Sequence, residues 1–398
     1  MSEKVEWKEK KTSLGNAIIV AVVAAIIGGV IGANFKNWFS SYAPYLGLNS
    51  YSSGVDWSSL DEVYNKLAST YNGDMVASDM IEGAKKGMVE ALGDVYTVYM
   101  DAEESTDFYN DLHGNVGSGI GIEMGMRDGY VRVLRTLPDN PARRAGILAG
   151  DIIYKVDGEE VWKLSSDEIA KRVRGEEGSE VTITVVRDGK EKDFKMKRET
   201  INNVSAYVEY DGKTAIITVT RFDNDTGTKV QDMAKEFSSK GINKVILDLR
   251  GNGGGYVSAA QDLLSLWLDN QKVLVQKSKH YGNTTTNTAS GKAILKDMKT
   301  IVLVNGSTAS ASEIVAGALQ DYKKATILGE KTYGKGVVQS LFDNLSGGAT
   351  LKVTTAEWYT PNDRSINQTG ITPDVEVERT YEDINAMRDP QLDKAKAL

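Results

Sequence analysis

Cysteine is absent from the 398 residues, and histidine occurs only as His113 and His280. The first absence removes disulfides, thiol nucleophiles, iron–sulfur clusters and thiolate zinc sites. The second leaves little for a metal centre or a Ser-His-Asp triad, although one histidine could still serve. Positive charge is also short: the formal net charge is −8, which argues against nucleic-acid binding, where a basic surface supplies most of the affinity. An enzyme built from this chain has to work with hydroxyl, carboxylate, amide or lysine. No cofactor and no metal is implied.

Long apolar runs are scarce as well, with one exception. Thr12 to Phe35 carries no charge and contains Ala17 to Ile27 without interruption. As a helix, 24 residues extend about 36 Å, enough for a bilayer core of about 30 Å. A cleaved signal peptide ending at Ala33 is the competing reading; Ile31 is bulky for such a site and the run is long, so an uncleaved anchor is expected. Lys4, Lys8, Lys10 and Lys11 precede the span and only Lys36 follows closely. The positive-inside rule then sets the N-terminus in the cytoplasm and the rest outside.

After a Ser/Tyr/Gly-rich linker, the stretch from Asp56 to Leu92 has helical periodicity, with Leu60, Val63, Tyr64 and Leu67, then Met80, Ile81, Ala84, Met88 and Leu92. From about Val116 to Lys197 short β-branched strands take over. Val181 to Val186 is followed by Asp188-Gly189, a hairpin signal. Pro141 to Gly146 reads as a short helix, and Ser166 as the cap of a second. This module resembles a PDZ domain of the bacterial kind. The resemblance rests on Ser118-Gly119-Ile120-Gly121-Ile122, Gly150-Asp151-Ile152-Ile153, Val156-Asp157-Gly158 and Arg174-Gly175. It implies that residues 118–122 hold the terminal carboxylate of a peptide added to a sheet edge. A plain turn fits locally too; a dinucleotide loop does not, because Met124 stands where its third glycine belongs.

From Ile201 onward, strands and helices alternate, and three loops each follow a strand. Leu249 to Tyr256 carries Gly253-Gly254-Gly255, whose backbone cost a bare connection would not select. Ser307 to Glu313 opens a helix; Ser310 with Glu313 reads as a capping box, yet a serine at a helix start also has oxyanion donors beside it. Cap and nucleophile remain open at this point. Gly329 to Gly336 approaches a P-loop, but Gly336 replaces the hydroxyl residue after Lys335, so that reading fails. A lysine between two glycines is either a solvated turn or a desolvated base.

In this order and spacing the loops resemble those of the carboxyl-terminal processing peptidases, the tail-specific serine proteases with a Ser-Lys dyad. Asp94 to Met100, Trp358-Tyr359-Thr360-Pro361, Gly370 to Asp374 and Asp389 to Ala395 also match. The resemblance implies Ser310 as nucleophile, Lys335 as general base, Gln339 as the amide orienting it, and the N–H groups of Ala311 and Gly255 as the oxyanion hole. Asp363 departs from the glycine expected in Pro-Asn-Gly-Arg-Ser; aspartate tolerates turn geometry.

The expected architecture is a multidomain α/β (α+β) protein. It runs as a cytoplasmic tail and transmembrane signal-anchor (1–40), a linker and helical region (41–113), a PDZ domain (114–199), a ClpP/crotonase-like β-β-α protease core (200–380) and a tail (381–398). The implied protein is a single-pass serine endopeptidase of a bacterial cell membrane, catalytic part outside, or secreted if the first segment is cut. Its partners would be proteins or peptides with free C-termini, the membrane, and a second copy through the early helices. The alternatives are a tethered PDZ scaffold with an inactive core, a hydrolase using His280, and a non-peptide acyl-transfer enzyme of the same layout.

Overall fold

The computed structural model describes residues 57–127, 129–386 and 388–398. The expected span at Thr12–Phe35 lies outside them. Among the described residues, no helix is long and apolar enough to cross a membrane. The chain divides into two units, residues 1–78 and 79–398. In the first, α1 (Ser58–Thr70) leaves Leu60, Val63, Tyr64 and Leu67 exposed. Helix α2 (Ala77–Glu90) begins at the boundary and exposes Ile81 and Met88.

The second unit begins its sheets with β1 (Val98–Met100), followed by α3 (Ala102–His113). Asp101 caps α3 through a capping box with Glu104, and left-handed Gly114 ends it. Then come β2 (Ser118–Gly119), β3 (Ile122–Arg127), β4 (Tyr130–Thr136), α4 (Pro141–Ala145), β5 (Ile152–Val156), β6 (Glu159–Glu160) and α5 (Ser166–Val173). β7 (Glu180–Arg187), β8 (Lys190–Lys197) and β9 (Glu199–Thr200) complete the module. Its sheet is ordered β3-β4-β5-β7-β8, and β2 pairs with β9 separately. Asp188 and Gly189 both take positive φ, 53° and 71°, as a two-residue hairpin requires. The cap of α5 is Ser165, not Ser166: its hydroxyl accepts the Glu168 N–H while Glu168 reaches back. Val131, Val133, Ile153, Ile169, Ile183 and Val185 form the module's separate core.

The remaining elements are β10 (Ala206–Asp211), β11 (Thr214–Val219), α6 (Thr226–Lys235), β12 (Lys244–Asp248), α7 (Val257–Leu264), β13 (Asp269–Ser278), β14 (Asn283–Ser290) and β15 (Lys299–Val304). They continue with α8 (Ala311–Asp321), β16 (Thr326–Gly329), β17 (Val337–Phe342), β18 (Thr350–Tyr359), β19 (Val375–Glu376), α9 (Tyr381–Asn385) and α10 (Pro390–Ala397). One sheet runs β10-β11-β12-β15-β16-β19, parallel from β11 onward. Another runs β1-β18-β13-β14 with β17 on β18. Val245, Leu247, Val302 and Val304 bury one face of the parallel sheet against Leu263, Ile314, Val315 and Leu319. Ile246, Ile301, Leu303 and Leu328 bury the other, where Ala395 of α10 packs. A parallel sheet covered on both faces explains why these strands read as continuous apolar runs.

Candidate active site

The three loops singled out in sequence follow β12, β15 and β16, neighbours in the parallel sheet, so they emerge at the same edge. Ser310 joins β15 to α8 with φ 56° and ψ −119°, a backbone state that costs a non-glycine residue about 1–3 kcal/mol and persists only where its surroundings enforce it. Those surroundings are hydrogen bonds. The Ala309 N–H and the Ser312 hydroxyl donate to the Asn252 carbonyl at 3.0 Å each, and the Thr308 hydroxyl donates to the Leu249 carbonyl at 2.9 Å. The wholly buried Asn252 side chain donates to the Val219 carbonyl and accepts the Gly254 N–H at 2.8 Å each. The Ser310 turn and the glycine loop thus form one hydrogen-bonded piece.

Glycines are required where these loops meet. A Cβ on Gly254 would stand 2.8 Å from the Ser310 Cβ, and one on Gly255 would stand 2.2 Å from the Phe222 carbonyl oxygen. Both take positive φ, 106° and 144°. The Gly254 N–H is spent on Asn252, whereas the N–H groups of Gly255 and Ala311 make no hydrogen bond among the described residues.

Glu313 ties the serine turn to the lysine loop. Its carboxylate is wholly buried and accepts four donors: the N–H of Ser310 (2.9 Å), the Thr332 hydroxyl (2.5 Å), and the N–H groups of Gly334 (2.7 Å) and Lys335 (2.9 Å). The Lys335 carbonyl accepts the indole N–H of buried Trp358 at 2.9 Å. A Cβ on Gly336 would come 2.6 Å from the Asn367 Cα, so Gly336→Ala is expected to cost about 2–4 kcal/mol by forcing that backbone contact apart, read as a lowered Tm.

The Lys335 amine lies 5.1 Å from the centre of the Tyr96 ring. Asp94 positions Tyr96 by accepting its N–H at 3.0 Å and the Thr97 hydroxyl at 2.6 Å, while Thr97 in turn accepts the Thr354 N–H of β18 at 3.0 Å. Burial drives the Lys335 amine below the ordinary lysine range; the neighbouring Lys352 ammonium adds to this, and Glu313 and Asp94 oppose it. Burial and the Tyr333 hydroxyl push the Tyr96 phenol up to about 12, so it stays protonated. Gln339 on β17 donates to the Thr354 hydroxyl at 3.3 Å. No hydrogen bond joins Lys335 to Ser310 or to Gln339 in this arrangement.

Ser310, Lys335, Gln339 and Gly255 line one cavity of about 380 Å³, with Phe108, Leu112, Val338, Leu341 and Trp358 as apolar wall. Neither histidine lines it; His280 is exposed, and His113 meets the Tyr256 hydroxyl at 3.3 Å. A second cavity, of about 330 Å³, is lined by Ser118, Gly119, Ile120, Gly121 and Ile122 together with Ala170, Val173 and Arg174. Asp111, Thr220 and Arg221 line both cavities.

Against known proteins, the profile of peptidase family S41 matches residues 213–377, a PDZ domain matches 118–197, and the N-terminal domain of the activating protease CtpB matches 47–104. A CtpA-like serine protease of Staphylococcus aureus strain MRSA252 is 36% identical over 385 residues, covering 96% of this chain and 75% of that protein. The chain is an S41 serine peptidase of the CtpA-like kind. The counterpart in Staphylococcus saprophyticus is 33% identical over 374 residues, covering 93% of this chain and 74% of that protein. The photosystem II D1 C-terminal processing protease superposes with a TM-score of 0.54 at 28% identity, over 82% of this chain and 87% of that one. An S41 protease from Bacteroides fragilis shares the fold, with a TM-score of 0.57 at 18% identity, over 78% of this chain and 88% of that one.

Sequence reading named Glu313 only as a cap and gave Tyr96, Thr97, Trp358 and Lys352 no role in this peptidase. Asp363, where the family pattern has glycine, adopts φ 63°, donates its N–H to the Thr360 carbonyl at 2.8 Å and pairs with Lys277 at 2.7 Å. The turn therefore forms with aspartate in the left-handed region. Arg250 explains the match at Asp389 to Ala395: its guanidinium bonds Asp248 (2.7 Å), Asp389 (2.8 Å) and Gln391 (2.9 Å), anchoring the segment under the glycine loop.

Proposed function

We propose that the chain is a membrane-anchored, extracytoplasmic endopeptidase that captures free C-termini in its PDZ groove and cleaves with Ser310 and Lys335. The observation that carries this reading is one cavity lined by a strained serine, an amine whose pKa burial lowers and the unspent Gly255 N–H, with the unspent Ala311 N–H on the residue next to the serine. Lysine is an ineffective base at its ordinary pKa near 10.4, so burial is what fits it for the task. Lys335 takes the proton from the Ser310 hydroxyl as its oxygen attacks the scissile carbonyl. The N–H groups of Ala311 and Gly255 receive the oxyanion. The Lys335 ammonium then protonates the leaving amine, and water hydrolyses the acyl-enzyme with the lysine again as base. In the aligned site Gln339 would accept from the amine without adding the negative charge that would hold it protonated.

Because Lys335 and Ser310 are not yet bonded in this arrangement, the reading includes a gate: a peptide in the groove shifts the population toward the aligned site. The common lining residues Asp111, Thr220 and Arg221 support such coupling. The exposed apolar faces of α1 and of α2 support a homodimer, and the uncharged Thr12–Phe35 run with its preceding lysines supports the anchor and its orientation.

The full chain in detergent micelles should degrade casein, and intact casein after prolonged incubation would overturn the protease reading. Amidating the C-terminus of a peptide substrate should lower kcat/KM about tenfold, the loss of roughly one charge-assisted hydrogen-bonded contact. Unchanged cleavage would remove terminal recognition from the proposal while leaving the hydrolytic site standing.

A further inference from the structure

Other half-buried cations among the described residues have partners. Arg250 sits between Asp248 and Asp389, Arg187 on Asp151, Arg221 on Asp223, and Lys244 on the carbonyls of Ala395 and Lys396. Among the described residues, Lys335 and Lys352 are the two half-buried amines with neither a carboxylate within 4 Å nor a hydrogen bond, and both line the Ser310 cavity. For Lys335 the role of base accounts for it. Lys352 takes no part in that proton transfer.

Lys352 is held on an inner strand, β18, between Val98 of β1 and Leu341 of β17. Its amine stands 5.3 Å from the centre of the Phe108 ring. The surrounding wall is apolar: Phe108, Leu112, Leu341 and Trp358. Asp111 lines the same cavity but is exposed to solvent, and Arg221 is already engaged by Asp223. Burial pulls the Lys352 amine below the ordinary lysine range, as expected of an ammonium short of solvation. Keeping such a cation unpaired beside a nucleophile is costly, and the cost is recovered only when an anion arrives.

We propose that Lys352 forms a subsite for a carboxylate of the substrate, supplied by an aspartate or glutamate side chain close to the scissile bond. This rests on the protease reading of the cavity. The same chemistry could come from a nearby C-terminal carboxylate, so the test separates the two.

Peptides taken from the casein sequence are made in pairs with glutamate or glutamine at each position in turn, with the C-terminus free or amidated. With the unaltered chain, glutamate at one position should be preferred about tenfold in kcat/KM whether or not the terminus is amidated. Lys352→Met should abolish the preference, and Lys352→Glu should reverse it in favour of lysine at that position. The ratio between paired peptides isolates the subsite, since any change in Lys335 acts on both peptides equally. Binding of the same peptides to the Ser310→Ala chain, read by fluorescence anisotropy, should show the same ranking independently of turnover. A preference seen only with the free terminus would overturn the side-chain assignment in favour of the terminal carboxylate. Ratios within twofold at every position, or a preference that survives in Lys352→Met, would overturn the subsite while leaving the protease reading intact. Failure of every peptide to be cut, with the binding preference retained, would sink the protease reading and not the subsite.

Discussion

Ser310→Ala and Lys335→Met should each lower kcat by about 10⁴-fold or more, and the double variant should be little worse than either alone. Neither half of the pair has a use without the other: a hydroxyl without a base is a poor nucleophile, and a buried amine without a hydroxyl has no proton to take. The measurement is single-turnover hydrolysis of a peptide by the parent and the three variants. Independent, additive losses would sink the dyad. The pH dependence has a definite sign. In the proposed dyad the active form of Lys335 is the free amine, so kcat/KM should rise with pH through a pKa lying below that of an ordinary lysine.

Stability follows the same group. Between the lowered folded pKa and the unfolded value near 10.4, the unfolded chain binds the extra proton, so stability rises with pH across that window. Below the folded pKa, the cost of burying the charged amine is carried in full. Lys335→Met removes it, so at neutral pH the inactive variant should melt at a higher temperature than the parent. An unchanged or lower Tm with intact fold would contradict the buried-amine account.

The second large effect is expected at Glu313. Glu313→Ala removes the acceptor of four hydrogen bonds that join the serine turn to the lysine loop. Leaving those donors buried and unpaired should cost about 3–5 kcal/mol in chemical denaturation and lower kcat about a hundredfold or more. Glu313→Gln keeps the size and one carbonyl oxygen, but turns an NH₂ toward donors, so it should be milder in stability and still impaired in rate. Its residual activity carries a further signature. Glu313 favours the charged form of Lys335, so neutralising it should move the rising limb of the rate profile to lower pH. A limb that stays in place would reduce Glu313 to scaffolding alone.

How much of this was legible in the sequence depends on how far apart the partners lie. The loops at the ends of β12, β15 and β16 could be read because β-branched runs and glycines mark them locally. Glu313 could be read as a cap because Ser310 is three residues away; its other partners are 19, 21 and 22 residues away on a different strand's loop. No local pattern announces such a connection. The β13–β14 hairpin was invisible for another reason: Asn283 to Ser290 is almost entirely Asn, Thr and Ser, so its alternation shows no apolar face. The strained φ of Ser310 is enforced by Asn252, Thr308 and Ser312 and leaves no compositional trace. Tyr96 lay within a recognised stretch, yet its place beside Lys335 appears only when β1 pairs with β18.

The parallel register of β12, β15 and β16 also governs when proteolysis can begin. Ser310 and Lys335 come from loops after two different strands, and parallel strands pair only after long stretches of intervening chain have been closed. Such high-contact-order pairing is intrinsically late and slow. A slip of one residue would turn every inward side chain of the strand outward. No partly folded segment therefore holds both Ser310 and Lys335 in place. A chain of this kind can be synthesised without cutting its neighbours, because completing the fold is itself the step that arms it.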